Sequence, residues 1–200
     1  MGGHPEERRR PGGGLPRAVD VILSSLGLAL ASPFLLTAAV AIKFDSRGPV
    51  IYRQRRVGKD GGPFDVYKLR TMQMGADPVG VGTPVLEDDP RVTWVGRLLR
   101  RFSLDEVPNL VNVLRGEMAI VGPRPTLAAQ VELYTPRQRR RLEVKPGMTG
   151  WAQVNGRAGI PWEERIELDV WYVDHRSLGL DLRILARTVR LLATGHGLYG

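Results

Sequence analysis

The chain has 200 residues, of which 42% are hydrophobic and 25% charged, so it is a folding sequence with room for about one domain. Its formal net charge of +8 suits an anionic membrane surface, phosphorylated substrates or nucleic acid. The absence of cysteine excludes disulfides, cysteine-based zinc sites and a thiol nucleophile.

The chain begins with a short basic segment and continues without a second domain boundary. Residues 1–17 are rich in Gly, Pro and Arg, which predicts a disordered basic arm. Residues 18–200 show no internal repeat and are expected to form a single domain.

Residues 18–42 form an apolar run in which Asp20 is the only charge. At about 1.5 Å per residue, this run is long enough to cross a bilayer. Ser32-Pro33 lies near its middle, where proline removes a backbone hydrogen bond and the serine hydroxyl can bond a freed carbonyl. Basic residues flank both ends, whereas a spanning helix normally has its cationic excess on the cytoplasmic side. We therefore prefer a re-entrant helix, broken at Ser32-Pro33, over a simple span.

The segments that follow mix strand and helix patterns. Residues 49–70 predict a β-hairpin, since Asp60-Gly61 is a strong turn signal between two β-rich runs. Residues 75–90 have the composition of a loop. Residues 91–101 predict a basic amphipathic helix, which suits either anionic lipid or a core with a solvated outer face. Its apolar stripe consists of Val92, Val95, Leu98 and Leu99.

Further helices are expected in the second half of the chain. Ser103 is predicted to begin a helix that stops at Gly116. Residues 126–142, 161–176 and 180–193 are the other helical candidates. Together with the hairpin, these elements predict an α+β, helix-rich protein.

Asp105 and Glu106 are the first candidates for chemistry. Ser103 and Glu106 have the spacing of a capping box, which is a purely structural explanation. Alternatively, Asp105 is a nucleophile or metal ligand, because carboxylates attack phosphorus and magnesium prefers carboxylates together with phosphate oxygens. The two interpretations are compatible, since Ser103 can cap the helix while Asp105 reacts.

Three other segments have the composition of ligand sites. Lys68 to Met72 follows the hairpin, and its alternative is a solvated strand end. Val121 to Pro125 holds Arg124 between two prolines, either as a phosphate-binding fork or as a rigid loop with a solvated arginine. Pro146 to Arg157 combines glycine turns, a tryptophan and amides, as in a ligand loop or a structural turn.

Taken in order from about residue 17 to 194, these segments resemble the bacterial sugar transferase family, the monotopic polyprenyl-phosphate phosphoglycosyl transferases. The matching segments are Ser32-Pro33, Arg53 to Gly58, Lys68 to Met72, Ser103 to Asn109, Val121 to Pro125, Pro146 to Arg157, Asp169 to Val173 and Leu180 to Leu182.

The resemblance implies a UDP-sugar donor, a polyprenyl phosphate acceptor such as undecaprenyl phosphate, and release of UMP. Asp105 matches the family's nucleophile, which forms a covalent phosphosugar intermediate, and Glu106 matches its acidic partner. Mg²⁺ is expected at this acid pair. The residues implied in substrate binding are Lys68, Arg70, Arg100, Arg124, Gln153 and Arg157.

The resemblance also implies where the protein works. Residues 18–42 would be the re-entrant membrane helix, and residues 43–200 the catalytic part with its interfacial amphipathic helices. The expected location is the cytoplasmic face of the bacterial inner membrane, in contact with its lipids, at the first membrane step of glycan assembly. Since about 17 residues precede the apolar run, we expect a small, single-domain member. A basic amphipathic surface suits lipid or a second copy, so a homodimer stays open.

Two other functions compete with this one. A membrane-anchored scaffold for polysaccharide assembly would keep the acid pair only as a helix cap. A nucleic-acid binder would use the positive charge, but the four tryptophans are not interleaved with the basic clusters as stacking platforms would be. We therefore expect no nucleic-acid partner.

Overall fold

The computed structural model describes residues 13–76, 89–156 and 160–193. It contains one long N-terminal helix and a body of shorter helices, with a two-stranded hairpin and a second small sheet. The helices are α1 (Arg17–Asp45), α2 (Trp94–Arg101), α3 (Leu110–Arg115), α4 (Ala128–Glu132), α5 (Trp151–Asn155), α6 (Trp162–His175) and α7 (Leu178–Ala193). The strands are β1 (Ile51–Val57), β2 (Pro63–Leu69), β3 (Ala119–Val121) and β4 (Gly147–Thr149). Short 3-10 helices cover Lys59–Gly61, Leu104–Asn109 and Gln138–Glu143.

Helix α1 is continuous through Pro33, so the predicted break at Ser32-Pro33 is wrong as a division into two helices. Pro33 has no backbone N–H to donate to the carbonyl of Ala29, four residues earlier. The Ser32 hydroxyl donates to this carbonyl at 2.8 Å, as predicted, which replaces the missing bond and lets the helix continue. The helix is long and apolar enough to cross a membrane by length and composition. Whether it re-enters stays a prediction.

The N-terminal end of α1 is held by polar contacts with the body. The Arg17 guanidinium donates to the carbonyls of Val113 and Leu114 at the end of α3. Asp20, the only charge of the apolar run, is buried and accepts from the backbone N–H of Ile120 at 3.0 Å. This buried carboxylate therefore has a hydrogen-bond donor in the backbone of β3.

The C-terminal end of α1 packs on the same body through an apolar cluster. Ala38 and Ile42 are buried there, and the carboxylate of Asp45 accepts from the backbone N–H of Val95 at 3.1 Å. The buried cluster consists of Ala38, Ile42, Leu69, Val95 and Leu99. Both ends of the helix thus contact the folded body, while most of its middle is exposed.

The predicted hairpin is confirmed, with Tyr52 directly opposite Lys68 in its antiparallel ladder. Asp60 and Gly61 have φ values of 55° and 80°, the left-handed conformation that an Asp-Gly turn requires. Since side chains alternate along a strand, Tyr52, Gln54 and Arg56 share the face of Lys68.

Helix α2 confirms the amphipathic prediction in part. Val95 and Leu99 are buried against α1, which is the core-packed alternative. Leu98 and Trp94 are instead 51% and 68% exposed, so the outer face of the helix also carries apolar groups. The Thr93 side chain caps the helix by accepting from the backbone N–H of Gly96 at 3.0 Å.

The later helices follow the predictions unevenly. Helices α6 and α7 confirm the predictions over 161–176 and 180–193, and Gly116 ends α3 with a φ of 80°. Residues 126–142 are not one helix, because Pro136 follows Thr135 and disfavours helical geometry there. The Thr135 hydroxyl accepts from the backbone of Gln138 and starts a 3-10 turn instead.

The parallel pairing of β3 with β4 was not predicted. It places Ala119 beside Gly147 and Val121 beside Thr149. A Cβ on Gly147 would lie 2.1 Å from the backbone nitrogen of Gly122, so only glycine permits this approach. The contact fixes the loop 122–126, which carries Arg124, against the backbone of residues 145–150.

Candidate active site

The acid pair lies on the 3-10 helix Leu104–Asn109, but Ser103 does not cap it. Ser103 has a φ of 55°, and its hydroxyl has no hydrogen-bond partner in the described part of the chain. The predicted capping box is therefore wrong. The scaffold hypothesis, which kept the acid pair only as a cap, loses its structural basis.

Glu106 is held by two cations from different parts of the chain. It accepts from the Lys68 ammonium at 2.7 Å and from both terminal nitrogens of Arg124 at 2.5 and 3.2 Å. Burial acts to raise the pKa of Glu106, but the charges and hydrogen bonds of Arg124 and Lys68 outweigh it and hold this pKa well below its ordinary value. Glu106 is therefore ionised at neutral pH.

Asp105 has the opposite environment. Its side chain is buried, and its Oδ1 atom has no hydrogen-bond partner among the described residues. Burial raises the pKa of the Asp105 carboxyl and the charge of Glu106 raises it further, while Lys68, Arg100 and Arg124 oppose the rise only in part. An unsatisfied buried carboxylate oxygen is costly, and it becomes satisfied when a ligand binds to it.

Three of the predicted substrate-binding cations surround this pair. Lys68 and Arg124 bond Glu106 directly. Arg100 donates to the Thr71 hydroxyl at 2.8 Å, and its charge acts on the carboxyl of Asp105. Their residue numbers are far apart, but the structure brings them to one place.

The remaining predicted residues have other positions. Arg70 is buried and donates to the carbonyl and hydroxyl of Ser46 at 2.7 and 3.0 Å, so it closes the end of α1 instead of contacting the acid pair. Gln153 donates to the carbonyl of Met148 at 3.2 Å, and its own Oε1 is buried without a partner among the described residues. Arg157 lies outside the described residues.

Arg56 was missed as a site residue, although its alternation with Gln54 on β1 could have identified it. Its guanidinium donates twice to the amide oxygen of Gln54, at 3.1 and 2.6 Å, and once to the carbonyl of Pro125 at 3.2 Å. Burial, and after it the charge of Arg124, lowers the pKa of Arg56 to about 10. A half-buried guanidinium close to another cation favours an anionic ligand.

Arg56, Lys68, Glu106 and Arg124 line one cleft, which we call the acid-pair cleft, and Asp105 adjoins Glu106 in the chain without being part of this lining. Its lining consists of Arg56, Val66, Lys68, Glu106, Asn109, Met118, Arg124, Pro125, Gly147 and Met148. The cations Arg56, Lys68 and Arg124 outnumber the single carboxylate in this lining. The excess positive charge suits a substrate with several phosphate charges.

The residues present would hold a magnesium ion only together with a substrate, not by protein ligands alone. No group of three or more His, Cys, Asp or Glu side chains that could hold a metal occurs in residues 13–76, 89–156 and 160–193. Both oxygens of Glu106 already bind cations, which leaves Oδ1 of Asp105 as the free carboxylate ligand. Magnesium is commonly bound by one or two carboxylates together with substrate phosphates.

A buried carboxylate with one unsatisfied oxygen, close to a cationic cleft, suits phosphate-group transfer, and the same chain carries a long apolar helix. The sequence profile of the bacterial sugar transferase family matches residues 13–195, and the chain belongs to this family. The predicted resemblance is thereby confirmed.

Several characterised and uncharacterised proteins are similar to this chain. It is 46% identical over 184 residues to the uncharacterized sugar transferase EpsL of Bacillus subtilis, covering 92% of this chain and 90% of the relative. It is 45% identical over 206 residues to the UDP-glucose:undecaprenyl-phosphate glucose-1-phosphate transferase of Caulobacter vibrioides, covering 95% and 77%. It is 38% identical over 199 residues to the undecaprenyl-phosphate galactose phosphotransferase of Salmonella typhimurium, covering 92% and 42%.

Proposed function

We propose that this protein transfers a sugar 1-phosphate from a UDP-sugar to a polyprenyl phosphate, undecaprenyl phosphate, and releases UMP. The observation that carries the proposal is the buried Asp105 oxygen without a partner among the described residues, placed beside a Glu106 that is held by Lys68 and Arg124. The names of the relatives support it, since they specify transfer of glucose or galactose phosphate to undecaprenyl phosphate.

In the first half-reaction, a carboxylate oxygen of Asp105 attacks the sugar-bearing phosphorus of the donor. A bond forms between this oxygen and phosphorus, and the bond from phosphorus to the bridging oxygen breaks. UMP leaves with the bridging oxygen and its electron pair. Asp105 then carries the sugar phosphate as a mixed anhydride.

In the second half-reaction, a phosphate oxygen of the acceptor attacks the same phosphorus and frees the carboxylate of Asp105. The products are a polyprenyl diphosphate sugar and the regenerated enzyme. A general base is not required, because a phosphate monoester is already ionised at neutral pH. A cleft in which the described lining residues supply three cations and one carboxylate but no histidine agrees with this chemistry.

Lys68, Arg56 and Arg124 would hold the phosphate oxygens during both steps, since charge on these oxygens is what a fixed cation stabilises. Glu106 keeps Lys68 and Arg124 in place and is not available as a nucleophile, because both of its oxygens are bonded. Magnesium, held by Asp105 and the donor diphosphate, would neutralise charge on the diphosphate and the leaving UMP.

We also propose that α1 enters and leaves the membrane on its cytoplasmic face. Gly27 lies against Leu110 of α3, and Ala38 lies in the apolar cluster with α2, so both positions contact the body. The intervening residues 28–37 extend over about 15 Å of helix at about 1.5 Å per residue. That length is about half of the ~30 Å hydrocarbon core, so the stretch between the two contacts with the body is too short to span it, although the whole helix is long enough.

The proposed reaction is tested with detergent-purified protein, magnesium, undecaprenyl phosphate and a panel of UDP-sugars. Release of UMP is measured for wild type, for Asp105→Asn and for Asp65→Asn, which changes an exposed hairpin carboxylate as a matched control. We expect magnesium-dependent release with at least one donor, loss of release in Asp105→Asn and little change in Asp65→Asn. Full activity of folded Asp105→Asn would reject Asp105 as the nucleophile, and mass spectrometry of a trapped phosphosugar adduct would locate the covalent bond.

A further inference from the structure

A buried ion pair behind the acid-pair cleft is not used by the proposed mechanism. Arg141, from the 3-10 helix Gln138–Glu143, contacts Asp169 of α6 at 2.6 Å. Only 7% of the Arg141 side chain and 4% of the Asp169 side chain are exposed. These two residues are far from the acid pair in sequence and lie outside the lining of the cleft.

The pair is connected to the loop 122–126 through both terminal nitrogens of Arg141. The same terminal nitrogen of Arg141 that contacts Asp169 also donates to the backbone carbonyl of Arg124 at 3.0 Å. The other terminal nitrogen bonds the Tyr134 hydroxyl, which in turn contacts the Thr126 hydroxyl at 2.9 Å. Arg141 therefore holds the loop 122–126 at two positions, on either side of Pro125.

The loop 122–126 is rigid, so a displacement of its backbone at Arg124 also moves the side chain of Arg124. Pro123 and Pro125 restrict the backbone torsions on both sides of Arg124. Gly122 is packed so closely that a Cβ there would lie 2.4 Å from the carbonyl oxygen of Lys145. A shift of the Arg124 carbonyl thus moves the guanidinium that binds Glu106.

Stability alone does not explain a buried ion pair at this position. Burial raises the pKa of Asp169 to about 6, although the charge and hydrogen bond of Arg141 oppose the rise. The fold therefore disfavours the ionised carboxylate, and buried ion pairs commonly stabilise a protein no more than apolar residues of similar volume. Two apolar residues in place of Arg141 and Asp169 could not donate a hydrogen bond to the carbonyl of Arg124.

We propose that the buried pair Arg141–Asp169 positions Arg124 for phosphate binding, so that α6 sets the geometry of the acid-pair cleft. The proposal rests on the proposed function for its kinetic consequence. Arg141 and Asp169 are positioning residues that act through Arg124 and do not contact the substrate. A misplacement of about 1 Å in a catalytic group can reduce a rate by about 100-fold, so a modest displacement is measurable.

The chain contains a matched control for this pair. Arg140 and Asp174 also join the 3-10 helix Gln138–Glu143 to α6, at 2.7 Å, with about a quarter of each side chain exposed. In the described structure, the side chain of Arg140 forms its hydrogen bonds and ion pairs with Glu143 and Asp174, and none with the loop 122–126. Arg140→Lys therefore perturbs an ion pair between the 3-10 helix and α6 that has no hydrogen bond to Arg124, and it serves as the control for Arg141→Lys.

The kinetic test measures UMP release with the best UDP-sugar of the panel. We expect Arg141→Lys to lower kcat/KM for the donor about tenfold, and Arg140→Lys to change it less than about twofold. In an Arg124→Gln background, Arg141→Lys should lower kcat/KM by less than a further factor of about two, because the guanidinium that Arg141 positions is no longer present. Equal effects in both backgrounds, or no effect in the wild-type background, would overturn the proposal. Asp169→Asn serves as the second variant if Arg141→Lys does not fold.

A second readout does not depend on catalysis. Phenylglyoxal modifies accessible guanidinium groups, and mass spectrometry reports its rate at Arg124. We expect at least a twofold change at Arg124 in Arg141→Lys or Asp169→Asn, and an unchanged rate in Arg140→Lys. A changed labelling rate at Arg124 in a protein that releases no UMP would support the positioning role of Arg141 and Asp169 and reject the proposed function. Unchanged labelling and kinetics in an active protein would reject the positioning role alone.

Discussion

Asp105 and Glu106 are neighbours in the chain, yet they have opposite electrostatic environments. Glu106 is bonded by Lys68 and Arg124, and these cations hold its pKa low despite its burial. Asp105 is buried without a partner for Oδ1 in the residues the structure describes, and its pKa is raised. The pair therefore combines one permanently charged anchor with one carboxylate that gains stability from a ligand.

The first prediction concerns the pH dependence of the wild-type enzyme. Asp105 must be ionised to attack, and its pKa lies above the ordinary value of 3.8, so activity should fall as pH falls through that raised pKa. Ionisation of Glu106 should not change the activity between pH 4.5 and 9, because its pKa is lowered and it stays ionised. The measurement is kcat/KM for UMP release between pH 4.5 and 9, with the fold monitored by circular dichroism. A profile that stays flat down to the lowest pH would contradict the raised pKa.

The second prediction concerns Glu106→Gln. The substitution removes the negative charge that raises the pKa of Asp105, so the acidic limb of the activity profile should move to lower pH. It also leaves Lys68 and Arg124 without their charged partner, and we expect kcat/KM to fall by at least about tenfold, the value of one charged hydrogen bond. Asp65→Asn, at an exposed ion pair with Arg55, should change neither quantity. A shift of the limb to higher pH would show that Glu106 does not act on Asp105 by its charge.

The third prediction concerns Arg56. Lysine retains the charge but has no planar fork, so Arg56→Lys cannot bond Gln54 twice and reach the carbonyl of Pro125 at once. We expect KM for the donor to rise about tenfold, the equivalent of about 1.4 kcal/mol. Arg55→Lys is the matched control, because the adjacent residue lies on the opposite face of β1 and pairs with exposed Asp65. Similar KM values for the two variants would exclude Arg56 from donor binding.

The fourth prediction concerns the course of α1 through the membrane. The chain has no cysteine, so single cysteines introduced at Gly13 and Arg47 can be labelled without background. Because both ends of α1 contact one body, both positions should react with a membrane-impermeant maleimide in inverted inner-membrane vesicles and neither in intact spheroplasts. Labelling of the two positions from opposite sides would establish a spanning helix and refute the re-entrant course.

Local patterns in the sequence determined much of this protein. The apolar run, the Asp60-Gly61 turn and the helices over 161–176 and 180–193 each depend on neighbouring residues, and all are found. The motifs in their order also identified the family, which the profile match confirms. The Ser32 hydroxyl could be assigned to a freed carbonyl because both groups belong to the same helical turn.

Tertiary structure decided how the chemistry is arranged. Ser103 and Glu106 have capping-box spacing, but two cations from distant segments bond Glu106 more strongly than the helix end does. Arg70 was grouped with Lys68 by proximity in sequence, yet it bonds Ser46 at the end of α1. Side chains two residues apart share a strand face only while the strand continues, and β2 ends at Leu69. Arg56 reaches the carbonyl of Pro125, and Arg141 the carbonyl of Arg124, only when β1 and the 3-10 helix Gln138–Glu143 meet the Arg124 loop. Such contacts depend on which remote segments pack together, and no local pattern of residues encodes them.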